Sequence, residues 1–409
     1  MLDRIWTGFF LVAFAAAVFQ SLVLGETGVW ADMVAATFDL SKTAFEIALG
    51  LTGVMCLWLG IMKIGERGGA VDLLARLFGP LLRRLFPSIP AGHPATGSIV
   101  MNMAANMLGL DNAATPLGLK AMGELQELNP EPDTATNDQI LFLVLNTSAV
   151  TVIPVAIFTY RATLGAADPT DVFIPMLIAT FCSTMVGLTV TASVQRLKLW
   201  DPVILAYLGG LTAMVLGMIL HFSRLDRETM ELQSSVLSNF VIFSIIVSFV
   251  FLAARRRLPL YDVFVEGAKD GFKVAVGIIP YLVAMLVAIG VFRASGALDL
   301  LLDAVRWAVA QVGLDTRWVE GLPTALMRPL SGSGARGLML EAMEAHGADS
   351  FVGRLVSVIQ GSTETTFYVL AVYFGSVGIR RTRHALPCGL AADVAGAVSA
   401  ILICYLFFG

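Results

Sequence analysis

Charged side chains are scarce in this chain. Only 14% of its 409 residues are Asp, Glu, Lys or Arg, against about 25% in soluble globular proteins. So little charge cannot furnish the surface of a soluble domain. The net charge of −4 offers no basic face for nucleic acid, so no nucleic-acid partner is expected. Histidine is rare too. His93, His221, His346 and His384 are scattered near predicted helix ends, with no two at ligand spacing on one helix, and no metal centre is expected. The four cysteines (Cys56, Cys182, Cys388 and Cys404) all fall in apolar runs without ligand spacing, as small core residues do. The glycine-rich stretch near residue 334 lacks a Gly-Lys-Ser/Thr ending, which argues against a nucleotide-hydrolysing phosphate loop. No small-residue cleavage site follows the apolar run after Arg4, so 1–24 reads as a retained first span.

What is abundant is apolar: 57% of the residues are hydrophobic and the mean hydropathy is +0.79. The fold class expected is an all-α polytopic membrane protein, with the lipid bilayer as its surroundings. About nine transmembrane helices are expected, at 5–24, 45–63, 140–160, 172–194, 203–222, 236–254, 274–292, 351–374 and 385–408. Trp30 and Phe38 suit an interfacial segment between the first two. Residues 66–86 put Val71, Leu74, Leu77, Leu81 and Leu85 on one face and arginines on the other, and 296–312 repeat the pattern; both read as amphipathic interfacial helices.

Four stretches break the apolar pattern. Residues 95–122 are apolar arms around a polar tip of Asn106, Gly109, Asp111, Asn112, Thr115 and Pro116, which fits a re-entrant hairpin better than a through-going helix. Residues 322–343 do the same around Arg328, Ser331, Ser333 and Arg336. The span at 351–374 is interrupted by Gln360, Ser362, Thr363, Glu364 and Thr365, and the span at 140–160 by Asn146, Thr147 and Ser148. A carboxylate at membrane depth is costly and tends to face a cavity or a partner. Helices broken at the midplane are how many secondary transporters build a substrate site.

The expected solute contacts are therefore Gln360, Ser362, Thr363, Glu364 and Thr365, with Ser331, Ser333, Arg328 and Arg336 from the second tip, Asp393 from the last span and Asn106 from the first hairpin. Glu364 and Asp393 each have a plainer alternative as a buried partner of Arg328 or Arg336, and Asn102 with Asn106 reads as an interhelical hydrogen-bonding pair. Asp111, Asn112, Asn146, Thr147 and Ser148 are the expected ion ligands, with turn capping as the alternative for the Asx residues. Na⁺ or H⁺ is the expected coupling ion and no other cofactor is expected.

The order span, amphipathic helix, hairpin, broken span, span occurs twice. Gly69-Ala70-Val71-Asp72-Leu73-Leu74 matches Gly296-Ala297-Leu298-Asp299-Leu300-Leu301, and Lys120-Ala121-Met122 matches Glu341-Ala342-Met343. Four segments follow: a scaffold helix and external segment at 1–44, a first repeat at 45–200, two scaffold helices at 201–257 and a second repeat at 258–409. Nine spans with a cytoplasmic amino terminus put Arg4, the basic residues of 63–84, Arg196, Lys198, Arg255 to Arg257 and Arg380 to Arg383 inside, and the two repeats then have opposite orientation.

Two of these motifs resemble known families. Asn102, Asn106 and the run Leu108-Gly109-Leu110-Asp111-Asn112-Ala113-Ala114-Thr115-Pro116, closing on Gly118-Leu119-Lys120-Ala121-Met122, resemble the signature of spore maturation protein A. Arg328-Pro329-Leu330-Ser331-Gly332-Ser333-Gly334-Ala335-Arg336-Gly337, Gln360 through Tyr368, and Asp393 resemble spore maturation protein B. The chain looks like a fusion of the two, over about 40–200 and 260–409. Both families carry a nucleoside recognition or Gate domain, shared with concentrative nucleoside transporters and ferrous-iron permeases.

The resemblance implies solute held between hairpin tips and broken helices, a sodium ion near Asn112 and the Asn146 to Ser148 turn, and a scaffold that often trimerises. The function expected is thus secondary transport of a small polar solute, nucleoside-like or an organic anion, by a homo-oligomer (dimer or trimer) in a bacterial cytoplasmic (inner) membrane. The alternatives are an envelope or spore-maturation protein acting as a channel or structural partner, and an intramembrane enzyme pairing Ser331 or Ser333 with His384. No catalytic residue is expected.

Overall fold

A computed structural model describes residues 2–109, 111–148 and 154–409, apart from the side chains at 2, 3, 111–113, 227 and 231. Its secondary structure is helical, with a single isolated bridge between Thr134 and Arg381 among the described residues. Helix α1 (Leu2–Phe19) ends in a π-turn, Gln20–Leu24, and Gly25 reverses the chain in the left-handed region at φ 75°. Helix α2 (Val29–Gly68) carries on into α3 (Ala70–Leu85) across Gly69, whose φ of 92° suits only glycine well.

A first helical hairpin, α4 (Pro94–Met107) and α5 (Asp111–Glu127), precedes a broken pair, α6 (Asn137–Thr147) and α7 (Val155–Thr163), and then α8 (Phe173–Gln195). A capping box between Thr136 and Gln139 starts α6. Two long helices, α9 (Pro202–Phe222) and α10 (Arg227–Arg255), come next, begun by the side-chain caps of Asp201 and Asp226.

The plan then recurs. Helix α11 (Leu260–Ala294) leads through Gly296, at φ 69°, into α12 (Ala297–Gln311). A 3₁₀ turn, Arg317–Gly321, opens a second hairpin of α13 (Leu322–Met327) and α14 (Gly332–His346). A second broken pair, α15 (Phe351–Ser362) and α16 (Thr366–Ser376), and the last helix α17 (Ala385–Phe408) complete the chain. Among the described residues seven helices are long and apolar enough to cross a membrane, and the two broken pairs bring the candidate crossings to nine.

Two boundaries differ from the sequence reading. The span at 45–63 is the second half of a 40-residue helix that already starts at Val29, and the span at 274–292 belongs to a 35-residue helix starting at Leu260. The polar residues Asp39, Ser41, Lys42 and Glu46 interrupt the apolar pattern but not the backbone ladder, because helical hydrogen bonds need no apolar side chain. The interruption at 360–366 is also shorter than it looks in sequence. Gln360 to Ser362 stay helical, and only Thr363, Glu364 and Thr365 are unwound.

Corresponding helices of the two halves run antiparallel. Gly60 faces Phe264, Cys56 faces Gly271 and Leu40 faces Gly290, so α2 ascends where α11 descends. Likewise Gln195 bonds His384 and Ser183 bonds the Ala392 carbonyl, which sets α8 against α17 in reverse. Antiparallel pairing of equivalent elements is the internal symmetry expected of inverted repeats. Glycines permit the close approach of α2 and α11: a Cβ on Gly271 would fall 2.5 Å from the Met55 carbonyl oxygen.

The halves are tied at one end by Arg161, a fully buried cation. It donates to Asp171 at 2.8 Å, to Asp349 at 3.2 Å and to the Ala348 carbonyl at 2.7 Å.

Candidate functional site

The two helix breaks meet. The Glu364 backbone N–H donates to the carbonyl of Thr147, the last residue of α6, at 2.7 Å. The second hairpin closes on the same place: Phe367 N–H donates to the Pro329 carbonyl at 3.0 Å, and the Arg328 Nε donates to the Thr363 carbonyl at 2.8 Å. A second Arg328 nitrogen bonds that same carbonyl. Arg328 is 7% exposed, so its guanidinium takes over the hydrogen bonding that the unwound carbonyl would otherwise lack. It also lies 3.4 Å from the Glu364 carboxylate. That carboxylate is half exposed, unlike its partner.

A cavity of about 760 Å³ opens against this junction. Asn106 and Thr115 line it from the first hairpin, and Asn146 from the first break. Arg328, Ser331, Ser333 and Arg336 come from the second tip, and Glu364 and Thr365 from the second break. Asn106 donates to the Asn146 side-chain oxygen at 2.7 Å, and Asn146 donates in turn to the Phe142 carbonyl at 2.9 Å. Asn102, buried, donates to the Ala114 carbonyl at 2.7 Å and so binds α4 to α5. The interhelical reading of Asn102 and Asn106 therefore describes them well, and Asn106 lines the cavity besides.

Ser331 caps α14, accepting the Gly334 N–H at 3.0 Å, with the Ser333 hydroxyl 3.3 Å away. The α14 amino terminus thus faces the cavity between two arginines, which favours negative charge. His384 bonds Gln195 at 3.0 Å and neither serine bonds it, so the imagined serine–histidine pair is not assembled.

A smaller cavity of about 180 Å³ adjoins the larger one. Asn106, Arg328, Arg336 and Glu364 line both cavities, while Gln360, Leu59 and Tyr160 line only the smaller. Four polar side chains are therefore common to both. Arg336 lies over the Tyr160 ring, 5.6 Å from its centroid.

The remaining expected residues lie apart from the cavities or outside the described set. Ser362, the last helical residue before the break, and Thr363, the first unwound one, are both buried, and the Ser362 hydroxyl donates to the Ile359 carbonyl. Asp393 is buried, accepts from Thr366 Oγ1 at 2.6 Å, and lines neither cavity. Glu364, not Asp393, is the carboxylate paired with Arg328. Thr147 and Ser148 are fully buried, and the Ser148 carbonyl accepts from Thr184 at 2.9 Å. The side chains of Asp111 and Asn112 fall outside the described residues, and so does the rest of the first break at 149–153.

Sequence reasoning passed over the aromatic residues. Phe367, Tyr368 and Tyr373 line the larger cavity, and the Tyr373 hydroxyl donates to Asn146 at 3.3 Å while its ring stacks on Phe142. Gly118 makes room for Tyr373: a Cβ there would collide with the tyrosine ring and come within 2.9 Å of Asn102 Nδ2. The signal available was the Tyr368 to Tyr373 spacing inside an apolar run, which reads equally well as an interfacial anchor.

Comparison with known proteins follows the same two halves. The chain is 49% identical over 165 residues to spore maturation protein B of Bacillus subtilis (strain 168), covering 40% of this chain and 91% of that protein. It is 38% identical over 183 residues to spore maturation protein A of the same organism, covering 45% of this chain and 90% of that protein. The nucleoside recognition family, Gate, matches residues 48–167 and 275–380, together more than half of the chain and containing both hairpins and both breaks. This chain belongs to the nucleoside recognition (Gate) family and is a multi-pass membrane protein related to spore maturation proteins A and B.

Proposed function

We propose that this protein is a secondary active transporter of a small polar solute, nucleoside-like or an organic anion, moved together with Na⁺ or H⁺. The observation that carries the reading is the cavity of about 760 Å³ between two hairpin tips and two helix breaks. Its volume falls in the usual range for small-ligand sites. Arg328, Arg336 and the α14 amino terminus supply positive potential for an anionic group. Glu364, Asn106, Asn146 and Thr365 supply acceptors and donors for hydroxyl or amide groups. Tyr368 and Tyr373 offer aromatic faces to a flat solute.

Transport needs the solute to meet each side in turn. Two adjoining cavities that share four polar side chains suit this, because small shifts of the hairpins would open one cavity while closing the other. In this reading the hairpins are re-entrant, the amino terminus is cytoplasmic as the basic loops favour, and the location is a bacterial cytoplasmic membrane. Helices α9 and α10 stand outside the repeats and expose apolar side chains such as Leu216, Leu220, Phe240 and Phe243 to lipid or to further subunits of a homo-oligomer.

The names of the relatives favour a second reading, in which the protein acts in envelope or spore maturation as a channel or structural partner. Uptake of labelled nucleosides and organic anions into proteoliposomes separates the two. Transport predicts at least one accumulated solute in the wild type, and at least a ten-fold lower rate in Glu364→Gln with unchanged melting temperature. Equal flux in wild type and variant, or flux that runs only downhill under every ion gradient, counts against coupled transport.

A further inference from the structure

A cavity of about 900 Å³ lies away from the solute site and shares no lining residue with it. It opens between the amphipathic helix α3 and the start of α4, the first arm of the first hairpin. Arg76 and Arg83 line it from α3, and His93 and Thr96 from the α4 start. The two arginines stand seven residues apart, about two helical turns along one face. Both are exposed, and among the described residues neither guanidinium has an ion-pair or hydrogen-bond partner. Arg84 beside them differs: it pairs with Asp201 at 3.4 Å and does not line the cavity. No carboxylate lines the cavity among the described residues. His93 Nδ1 accepts the Ala95 N–H at 3.3 Å, so the neutral ring carries its hydrogen on Nε2, as a further donor.

Two glycines keep this space open. Gly79 inside α3 and Gly97 inside α4 both line the cavity, and a Cβ on either would meet nothing within 4 Å. Glycine is disfavoured against alanine within a helix, and here no packed neighbour requires it. The floor is apolar, formed by the buried Phe86, Ile89 and Val100. On the outer side of α3, Leu73 and Leu77 are exposed beside the arginines. Exposed leucines next to exposed arginines mark a helix lying at the level of lipid headgroups. A phospholipid meets both surfaces at once. Guanidinium forks suit its phosphate, and the apolar floor suits the glycerol and first acyl carbons. A free anion would leave that floor uncovered. Basic pockets at this depth are a recurrent way of holding anionic lipid.

We propose that Arg76, Arg83 and His93 form a binding site for the phosphate of an anionic phospholipid, which ties the first hairpin to the membrane surface. The site rests on the membrane character of the chain and stands apart from the solute reading.

The test is the melting temperature of the purified full chain in a neutral detergent, without solute. It is titrated with dioctanoyl phosphatidylglycerol, dioctanoyl phosphatidylcholine or sodium phosphate at constant ionic strength. A ligand that binds only the folded state raises stability with the logarithm of its concentration above Kd. The wild type is expected to show a saturable rise with phosphatidylglycerol that the other two do not reproduce. The double variant Arg76→Gln/Arg83→Gln should need at least roughly ten-fold more lipid for the half-maximal rise, as the loss of charge-assisted hydrogen bonds implies. Gly97→Leu, which fills the cavity and leaves both arginines in place, should weaken the response likewise. Arg84→Gln removes the same charge from the same helix outside the cavity and should leave the half-maximal concentration unchanged. A wild type that phosphatidylglycerol does not stabilise would overturn the proposal. So would an equal rise with phosphatidylcholine or with free phosphate, a wild-type response in Gly97→Leu, or an equal loss in Arg84→Gln, which would mark diffuse charge attraction.

Discussion

Arg328 does the most at the level of single residues. Its guanidinium bonds the unwound Thr363 carbonyl, points toward Thr365 and pairs with Glu364. Lysine has the charge but not the planar fork. Arg328→Lys is therefore expected to keep the membrane fold and lose about 1.5–3 kcal/mol of solute binding, the range for hydrogen bonds to charged groups. That is roughly a 10- to 150-fold rise in Kd, readable by equilibrium binding once a solute is known. Unchanged affinity in Arg328→Lys would mean the fork serves the break only as filler. That Glu364 and the second tip need one another's neighbourhood was readable from sequence, because a carboxylate and two arginines in apolar surroundings demand an explanation. The position of Asp393 was not. The same pattern that put it on the last span says nothing of which neighbour its face meets, and that is decided by Gly389 and Gly396 packing against Thr366 and Thr363. Tyr373 stayed hidden for the complementary reason: an aromatic residue in an apolar helix has no sequence mark that separates lipid contact from cavity lining.

Among the elements, the broken spans and hairpins follow from their polar interruptions, while the helix lengths do not. Helices α2 and α11 run far past their apolar stretches because each supports the other along its length. Helix α10 has a start that can be tested by pH. Asp226 caps it, accepting the Thr229 N–H at 3.0 Å, and this hydrogen bond holds the carboxyl below its ordinary value of 3.8. A depressed folded value means the cap stabilises above the unfolded pKa and is lost as pH falls through the folded one. Asp226→Ala should accordingly lower the melting temperature at pH 7, and the difference from wild type should shrink steadily below about pH 4. A difference independent of pH would show that the lost interaction is not the charged cap.

At the scale of the whole molecule, the two halves are held together by antiparallel helix pairs and by the buried Arg161 cluster. Arg161 is 0% exposed and reaches Asp171 and Asp349 on opposite sides of the repeat boundary, while Arg354 also binds Asp171 at 2.7 Å. Removing Arg161 deprives Asp171, whose side chain is only 13% exposed, of one of its two cations and leaves a buried gap between the halves. Arg161→Met is predicted to destabilise the protein by about 3–5 kcal/mol, measured as a loss of folded protein in denaturant or heat; a loss below about 1 kcal/mol would show that Arg354 compensates.

The side chains shared by the two cavities make a prediction about motion. With Cys56, Cys182, Cys388 and Cys404 replaced, a single cysteine at Tyr368 reports the larger cavity and one at Leu59 the smaller. Solute should change their reactivity toward a thiol reagent in opposite directions. Parallel changes at both positions would indicate a static binding site.

The hairpin tips and helix breaks are held to form one solute site, with Glu364 and Arg336 in its lining. The most direct measurement is thermal stabilisation of the purified protein across a library of nucleosides and organic anions, in Na⁺ and in K⁺, with Glu364→Gln and Arg336→Gln run alongside. At least one solute is expected to raise the melting temperature of the wild type and of neither variant. A solute that stabilises all three proteins equally, or a folded wild type that no solute stabilises under any condition, would contradict it.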